Sequence, residues 1–316
     1  MLLGEHAVLH GRRALVCAID KRITASLSQL PKPILRIVSD LGAYESPLNE
    51  LKDHSDFRFV LDAVRQYPLE QGVELKITSD FSSDIGFGSS AAVTVATHAA
   101  LMGLVGTAVP AVRGPLGERS LPLMDLFKRS LATIHRVQGR GSGADVAASV
   151  FGGVVAYRAD PLEISPMCEE FPLTAVYSGS KMKTVDVIHH LEEKRALNPD
   201  YFEKIFDRMD ASVGEAIQIF GGAPASVPAD GEAAVPPADF GRILIENQKL
   251  MEEMGLCNAA LAGITSIFKG LNVPAKISGS GLGDCAIGLG SAAPTSTFGD
   301  YPVYALNVTT QGVQAD

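Results

Sequence analysis

The chain has 316 residues, 46% of them apolar and 20% charged, with a formal net charge of −9. That length is ample for a packed core and suits one large domain or two moderate ones. The acidic balance, without any Lys/Arg run, argues against a nucleic-acid or membrane-surface partner, and no apolar run reaches the roughly 20 residues of a membrane span.

The first residues carry no charged start with a long apolar core, so no signal peptide is expected. Four widely spaced cysteines, Cys17, Cys168, Cys257 and Cys285, form no CxxC pair. They read as buried reduced thiols in a cytoplasmic protein rather than as a zinc site or a disulfide framework. A small-molecule partner is expected.

In chain order, LLGEHAVLHG at 2–11 sets a carboxylate and an imidazole side by side at a strand end before a glycine turn. Residues 13–29 predict one or two strands. Further strands are expected at 33–39 and 73–79, with a helix at roughly 55–67 between them. Residues 89–104 predict a buried helix of small and apolar residues, and 121–137 another. GRGSGADVAAS at 139–149 places Asp145 on a helix start after a glycine loop, and 150–158 reads as a glycine-entered strand. A composition shift at Asp160-Pro161 divides the chain into 1–159 and 160–316. Beyond it come a strand at 173–178, helices near 185–196, 200–220 and 239–255, and strands at 274–278, 284–290 and 302–309. Residues 221–238, rich in Gly, Ala and Pro, predict a long surface loop. Strands and helices mix without strict alternation, which indicates an α+β fold with two lobes.

The stretch DIGFGSSAAVTVA at 84–96 is the most informative. A glycine turn between strand and helix points backbone N–H groups at one spot, and the helix start adds unpaired donors and a positive dipole end. The result is an anion cradle. Gly86 and Gly88 give the backbone its freedom. Ser89 and Ser90 supply hydroxyls for capping, for phosphate oxygens or for a metal. The spacing is neither GxxxxGK[ST] nor GxGxxG. A second glycine turn, KISGSGLGDC at 276–285, follows a strand near the end.

Together these motifs resemble the GHMP small-molecule kinases. Residues 84–92 look like that superfamily's ATP-phosphate loop and 276–285 like its C-terminal glycine motif. GEHAVLHG at 4–11 and ENQKLMEEMGL at 246–256 look like mevalonate kinases, and SKMKTVDVI at 180–188 resembles a lysine-rich turn ending in a threonine. The resemblance implies a two-lobed α+β fold with its site in the cleft, and transfer of the ATP γ-phosphoryl to a hydroxyl, foremost the 5-hydroxyl of mevalonate. It implies ATP and Mg2+. Gly86, Phe87, Gly88, Ser89 and Ser90 would hold the nucleotide with Gly279 and Gly281, and Ser90 would bind the metal. Asp145 would be catalytic, with Glu5, His6 and Thr184 on the substrate side. A homodimer is compatible with the family.

The sequence departs from the family pattern at four places. A Pro-Gly-Lys expected before Gly4 would precede Met1, which implies a late recorded start. Ile134 stands in the register of a Mg2+-binding glutamate, and Asp84 and Asp284 replace glycines. HRVQGRGSGADVAASVFGG at 135–153 also resembles phosphomevalonate kinases, with Arg136, Arg140 and Lys183 as the residues to meet a second phosphate. The alternatives are that activity, another GHMP alcohol kinase, or a non-catalytic relative that senses ligand.

Overall fold

The computed structural model describes residues 1–82, 85–104, 120–167, 169–221, 238–291 and 295–314. The chain forms two compact units, neither continuous in sequence. One comprises Met1–Asp20, Asp84–Gly86 and Gly152–Thr310; the other comprises Lys21–Ser83, Phe87–Phe151 and Gln311–Asp316. The sequence division at 159/160 falls inside the first of these. The physical reason is strand pairing: β1 (Ala14–Cys17) lies antiparallel to β6 (Val154–Arg158), so the first twenty residues fold with the second half of the chain.

The second unit holds a four-stranded sheet in the order β2 (Ile23–Leu30), β5 (Gly72–Ser79), β3 (Ile34–Ser39), β4 (Gly42–Pro47). Only β3 and β5 run parallel; the other pairs are antiparallel. Alternation puts Leu35 and Ile37 of β3 and Val73, Leu75 and Ile77 of β5 into the core. Helices α1 (Arg58–Val64), α2 (Ser89–Leu104), α3 (Ser120–Gln138) and α4 (Ala144–Phe151) complete the unit. The central one, α2, touches β2, α1, α3 and α4. Its Ala91, Thr94, Val95, Thr97, His98, Ala99, Leu101 and Met102 are all buried. A helix enclosed on several sides needs small and apolar residues around most of its girth, as its sequence has.

The first unit has two sheets. One runs β1, β6, β7 (Glu163–Met167); the other runs β11 (Val303–Asn307), β8 (Pro172–Tyr177), β10 (Cys285–Leu289), β9 (Ala275–Ser278). Its helices are α5 (Thr184–Leu197), α6 (Pro199–Gly221), α7 (Ala238–Glu253) and α8 (Ala259–Gly270). They enclose a core that includes Phe202, Phe206, Met251, Ile264, Phe268 and Ile277. Arg13, just ahead of β1, bonds Asp210 of α6 at 2.6 and 3.0 Å.

Expected elements appear near their expected places, with exceptions. The strand read at 150–158 starts later, because α4 continues to Phe151 and Gly152-Gly153 turns the chain before β6. Strands β4 and β7 and helix α8 are additional. Of the cysteines, Cys285 is buried, but Cys17 and Cys257 are only half-buried; Cys168, Asp84 and nearly all of the loop expected at 221–238 lie outside the described residues. Among the described residues no helix is long and apolar enough to cross a membrane.

Candidate active site

In the second unit the phosphate-loop motif and the aspartate motif come together. α2 starts at Ser89, directly after the Gly-x-Gly turn, and the Ala92 amide donates to the Gly88 carbonyl at 3.0 Å. The amides of its first turn have no acceptors within the helix and face outward from its end. Asp145 stands in the first turn of α4 and is exposed. A β-carbon placed on Gly88 would lie 3.9 Å from the Asp145 carboxyl carbon, so the aspartate borders the turn. Phe87 packs its ring 5.8 Å from that of Phe81. Ile134 is buried, and the nearest atom to a β-carbon on Gly141 would be its Cγ2 at 3.1 Å. That position is apolar packing and offers no oxygen to a metal.

In the first unit three other motifs converge on the C-terminal glycine turn. From the first motif, His6 sits with its Nε2 2.8 Å from the Ser280 carbonyl. A carbonyl only accepts, so Nε2 carries the proton and Nδ1 holds the lone pair of a neutral ring. Burial pushes the His6 pKa below its ordinary value, consistent with that neutral state. Glu5 is ion-paired with Lys276 of β9, and both side chains are buried. Two buried oxygens here, Glu5 Oε2 and Ser280 Oγ, have no hydrogen-bond partner. From the second, the Asp284 amide donates to the Ser180 carbonyl at 2.8 Å, and the Ser178 amide to the Asp284 carbonyl at 2.9 Å. From the third, the Gln248 side chain accepts from the Ile277 amide at 2.7 Å, and the Leu282 amide reaches the Leu256 carbonyl at 2.8 Å.

Asp284, the departure from glycine, is buried at φ 60°, with its carboxylate 3.9 Å from the Lys181 ammonium. It also explains why Gly86 is a glycine: a β-carbon there would stand 2.7 Å from the Asp284 carboxyl group. The Cys285 thiol donates to the Ile85 carbonyl at 3.2 Å and fixes the approach to that turn. Burial pushes this thiol up to about 12, so it is an inert donor rather than a nucleophile. Of four non-glycine residues at positive φ among the described residues, His6, Leu282 and Asp284 belong to these motifs. Such backbone strain concentrates where geometry serves a ligand.

Two expected residues are less engaged. Thr184 opens α5 and is exposed. Arg136, a phosphate contact under the phosphomevalonate reading, is instead committed to Asp62 through bonds of 2.9 to 3.1 Å. Lys276 went unrecognised in the sequence, where a lone lysine in a strand gives no sign of a partner in the first motif.

Magnesium is held through one or two protein oxygens together with substrate phosphates and waters. The Ser90 hydroxyl and the Asp145 carboxylate are hard oxygen donors of that kind, beside the same turn, and they fit it. Among the described residues no group of three or more His, Cys, Asp or Glu side chains gathers as a cage.

Residues 56–153 match the GHMP kinases N terminal domain. A mevalonate kinase of Archaeoglobus fulgidus is 30% identical over 292 residues, covering 92% of this chain and 89% of the relative. A mevalonate kinase of Saccharolobus solfataricus is 26% identical, covering 98% and 93%. The fold is similar to the solved Methanococcus jannaschii mevalonate kinase, with a TM-score of 0.75 and 20% identity over 98% and 95% of the two chains. Motifs from end to end and a 30% identical relative covered over 89% of its length leave one assignment: the chain belongs to the GHMP kinases, in the mevalonate kinase family.

Proposed function

We propose that this kinase transfers the γ-phosphoryl group of ATP to the 5-hydroxyl of mevalonate. The observation that carries the reading is the seating of GEHAVLHG on the C-terminal glycine motif, through the Glu5–Lys276 pair and the His6–Ser280 bond, in a chain of this family. The acceptor choice lies in that first motif.

Phosphoryl transfer needs alignment and charge neutralisation more than covalent help from the protein. The turn at Gly86, Phe87, Gly88, Ser89 and Ser90 receives the nucleotide phosphates on amides and hydroxyls at the start of α2. Gly279 and Gly281, without side chains, would admit the nucleotide at the C-terminal glycine motif. Asp145 accepts the proton of the attacking hydroxyl, or holds that hydroxyl in line. Glu5, His6 and Thr184 orient the acceptor, with the His6 Nδ1 lone pair facing a hydroxyl hydrogen. Mg2+, held by Ser90, would neutralise charge on the phosphates. A reducing compartment, the cytoplasm, suits the half-buried thiols.

Phosphomevalonate as acceptor is disfavoured by Arg136, whose guanidinium is already bonded by Asp62. The test is ADP release from Mg-ATP with mevalonate, phosphomevalonate, galactose and homoserine in parallel. Turnover with mevalonate alone is expected. Turnover with phosphomevalonate instead would move the assignment to the other acceptor. Tight ATP binding with no turnover on any of them would make the chain a sensor.

A further inference from the structure

Lys276 is fully buried in β9, and its ammonium bonds the Glu5 carboxylate and the Ile277 carbonyl. Glu5 is 2% exposed. Its Oε1 is taken by the lysine, whereas its Oε2 is equally buried and meets no donor. Buried ion pairs are poor stabilisers, because desolvating both charges offsets their attraction, and apolar residues of similar size usually serve a core as well. A carboxylate oxygen left unmet in the interior is a further cost. This pair commits one oxygen and leaves the other without a donor, and the next residue along the chain is His6.

We propose that Lys276 is a positioning residue for the acceptor: by engaging Oε1 it holds the Glu5 carboxylate so that Oε2 accepts a hydrogen bond from an acceptor hydroxyl. The inference rests on the functional reading above and adds to it the residue that aims Glu5. Lys276 itself does not touch the acceptor. The ligand chemistry is that of a hydroxy acid with a hydroxyl hydrogen to donate. A molecule lacking that donor leaves Oε2 unpaired and is rejected. Burial pushes the Lys276 pKa down, and the Glu5 charge opposes that shift, so the two groups depend on each other.

The experiment compares Lys276→Met, Glu5→Gln and the double variant by thermal melting and steady-state kinetics. Lys276→Met strands a buried carboxylate, so its melting temperature should fall. Its KM for mevalonate should rise about tenfold or more with the KM for ATP within about twofold. In the double variant the buried charges are gone and the melting temperature should recover, while the KM for mevalonate stays high. Recovery of both would overturn the proposal and leave the pair purely structural. Should the variants not fold, the wild type with labelled lysines decides. Mevalonate added without nucleotide should shift the Lys276 ε-carbon resonance, and galactose should not. An unmoved resonance in an enzyme that turns over mevalonate sinks the positioning role alone. Silence of the wild type with mevalonate sinks the functional reading, and this proposal with it.

Discussion

At the scale of single residues, the glycine motifs were legible because glycine, serine and alanine at a strand-to-helix turn have few uses. Their partners were not. Asp284 looked like a lapse from pattern, yet its carboxylate fills the space that makes Gly86 obligatory. Lys276 drew no reading from the sequence, and lysine is almost never fully buried; only the fold brings Glu5 to it across 271 residues of sequence. Asp145 was singled out by the family resemblance of its motif, and its exposed position beside the Gly88 turn leaves it accessible to a reacting hydroxyl. Asp145→Ala is expected to lower kcat by about 100-fold or more with the KM for ATP nearly unchanged, as for a base or an orienting group. Steady-state kinetics with saturating acceptor measures this. Activity within about threefold of wild type would show that Asp145 only caps its helix.

At the scale of elements, α2 carries both the phosphate turn and a buried polar cluster, and the second steadies the first. His98, midway along α2, lies 3.0 Å from the Tyr67 hydroxyl and 3.0 Å from Thr133 of α3. Thr133 also receives Gln66 and Arg136, and Arg136 grips Asp62 on α1. Three helices are thereby tied at one point. Burial pulls the His98 pKa down to about 4, with nearby Arg129 adding to the effect. The unfolded chain therefore takes up a proton near pH 6.5 that the folded chain refuses until about pH 4. Stability from this residue is fully present above the unfolded value and is lost as pH falls towards the folded one. Between pH 7 and 5 the loss should be about 2 kcal/mol. Urea denaturation at the two pH values tests it: His98→Gln should flatten the dependence by that amount, and an unchanged slope would mean that His98 is not the group titrating. Period and length made α2 readable, whereas β4 and β7 were missed because Gly42, Pro47 and Pro166 interrupt their patterns. Helix α8 was missed although Asn258, whose side chain accepts from the Leu261 amide, marks its start.

At the scale of the whole molecule, sequence composition suggested a single cut, and strand pairing replaced it with interleaving. A composition shift reports local content; it carries nothing about which distant strand completes a sheet. A fragment of residues 1–159 should therefore fail to fold as a unit. It keeps β1 and β6 but loses β7, the β8 sheet and α6, which meets β1 and the 3₁₀ turn at Ala7–His10. Soluble yield and amide exchange would show it: protected amides across the 3₁₀ turn at Ala7–His10 of that fragment, whose neighbour α6 is gone, would contradict the argument. The same interleaving sets an order of assembly on the ribosome. β1 emerges early and its partner β6 only after the whole four-stranded sheet and four helices of the other unit have been made. At roughly 5–20 residues per second, that delay is on the order of ten seconds. Throughout it, β1 lacks β6 and has only its bridge to Leu3, so the apolar Leu15 and Val16 wait for their partner strand. The consequence is that β1 waits for its partner strand until residue 158 has been added.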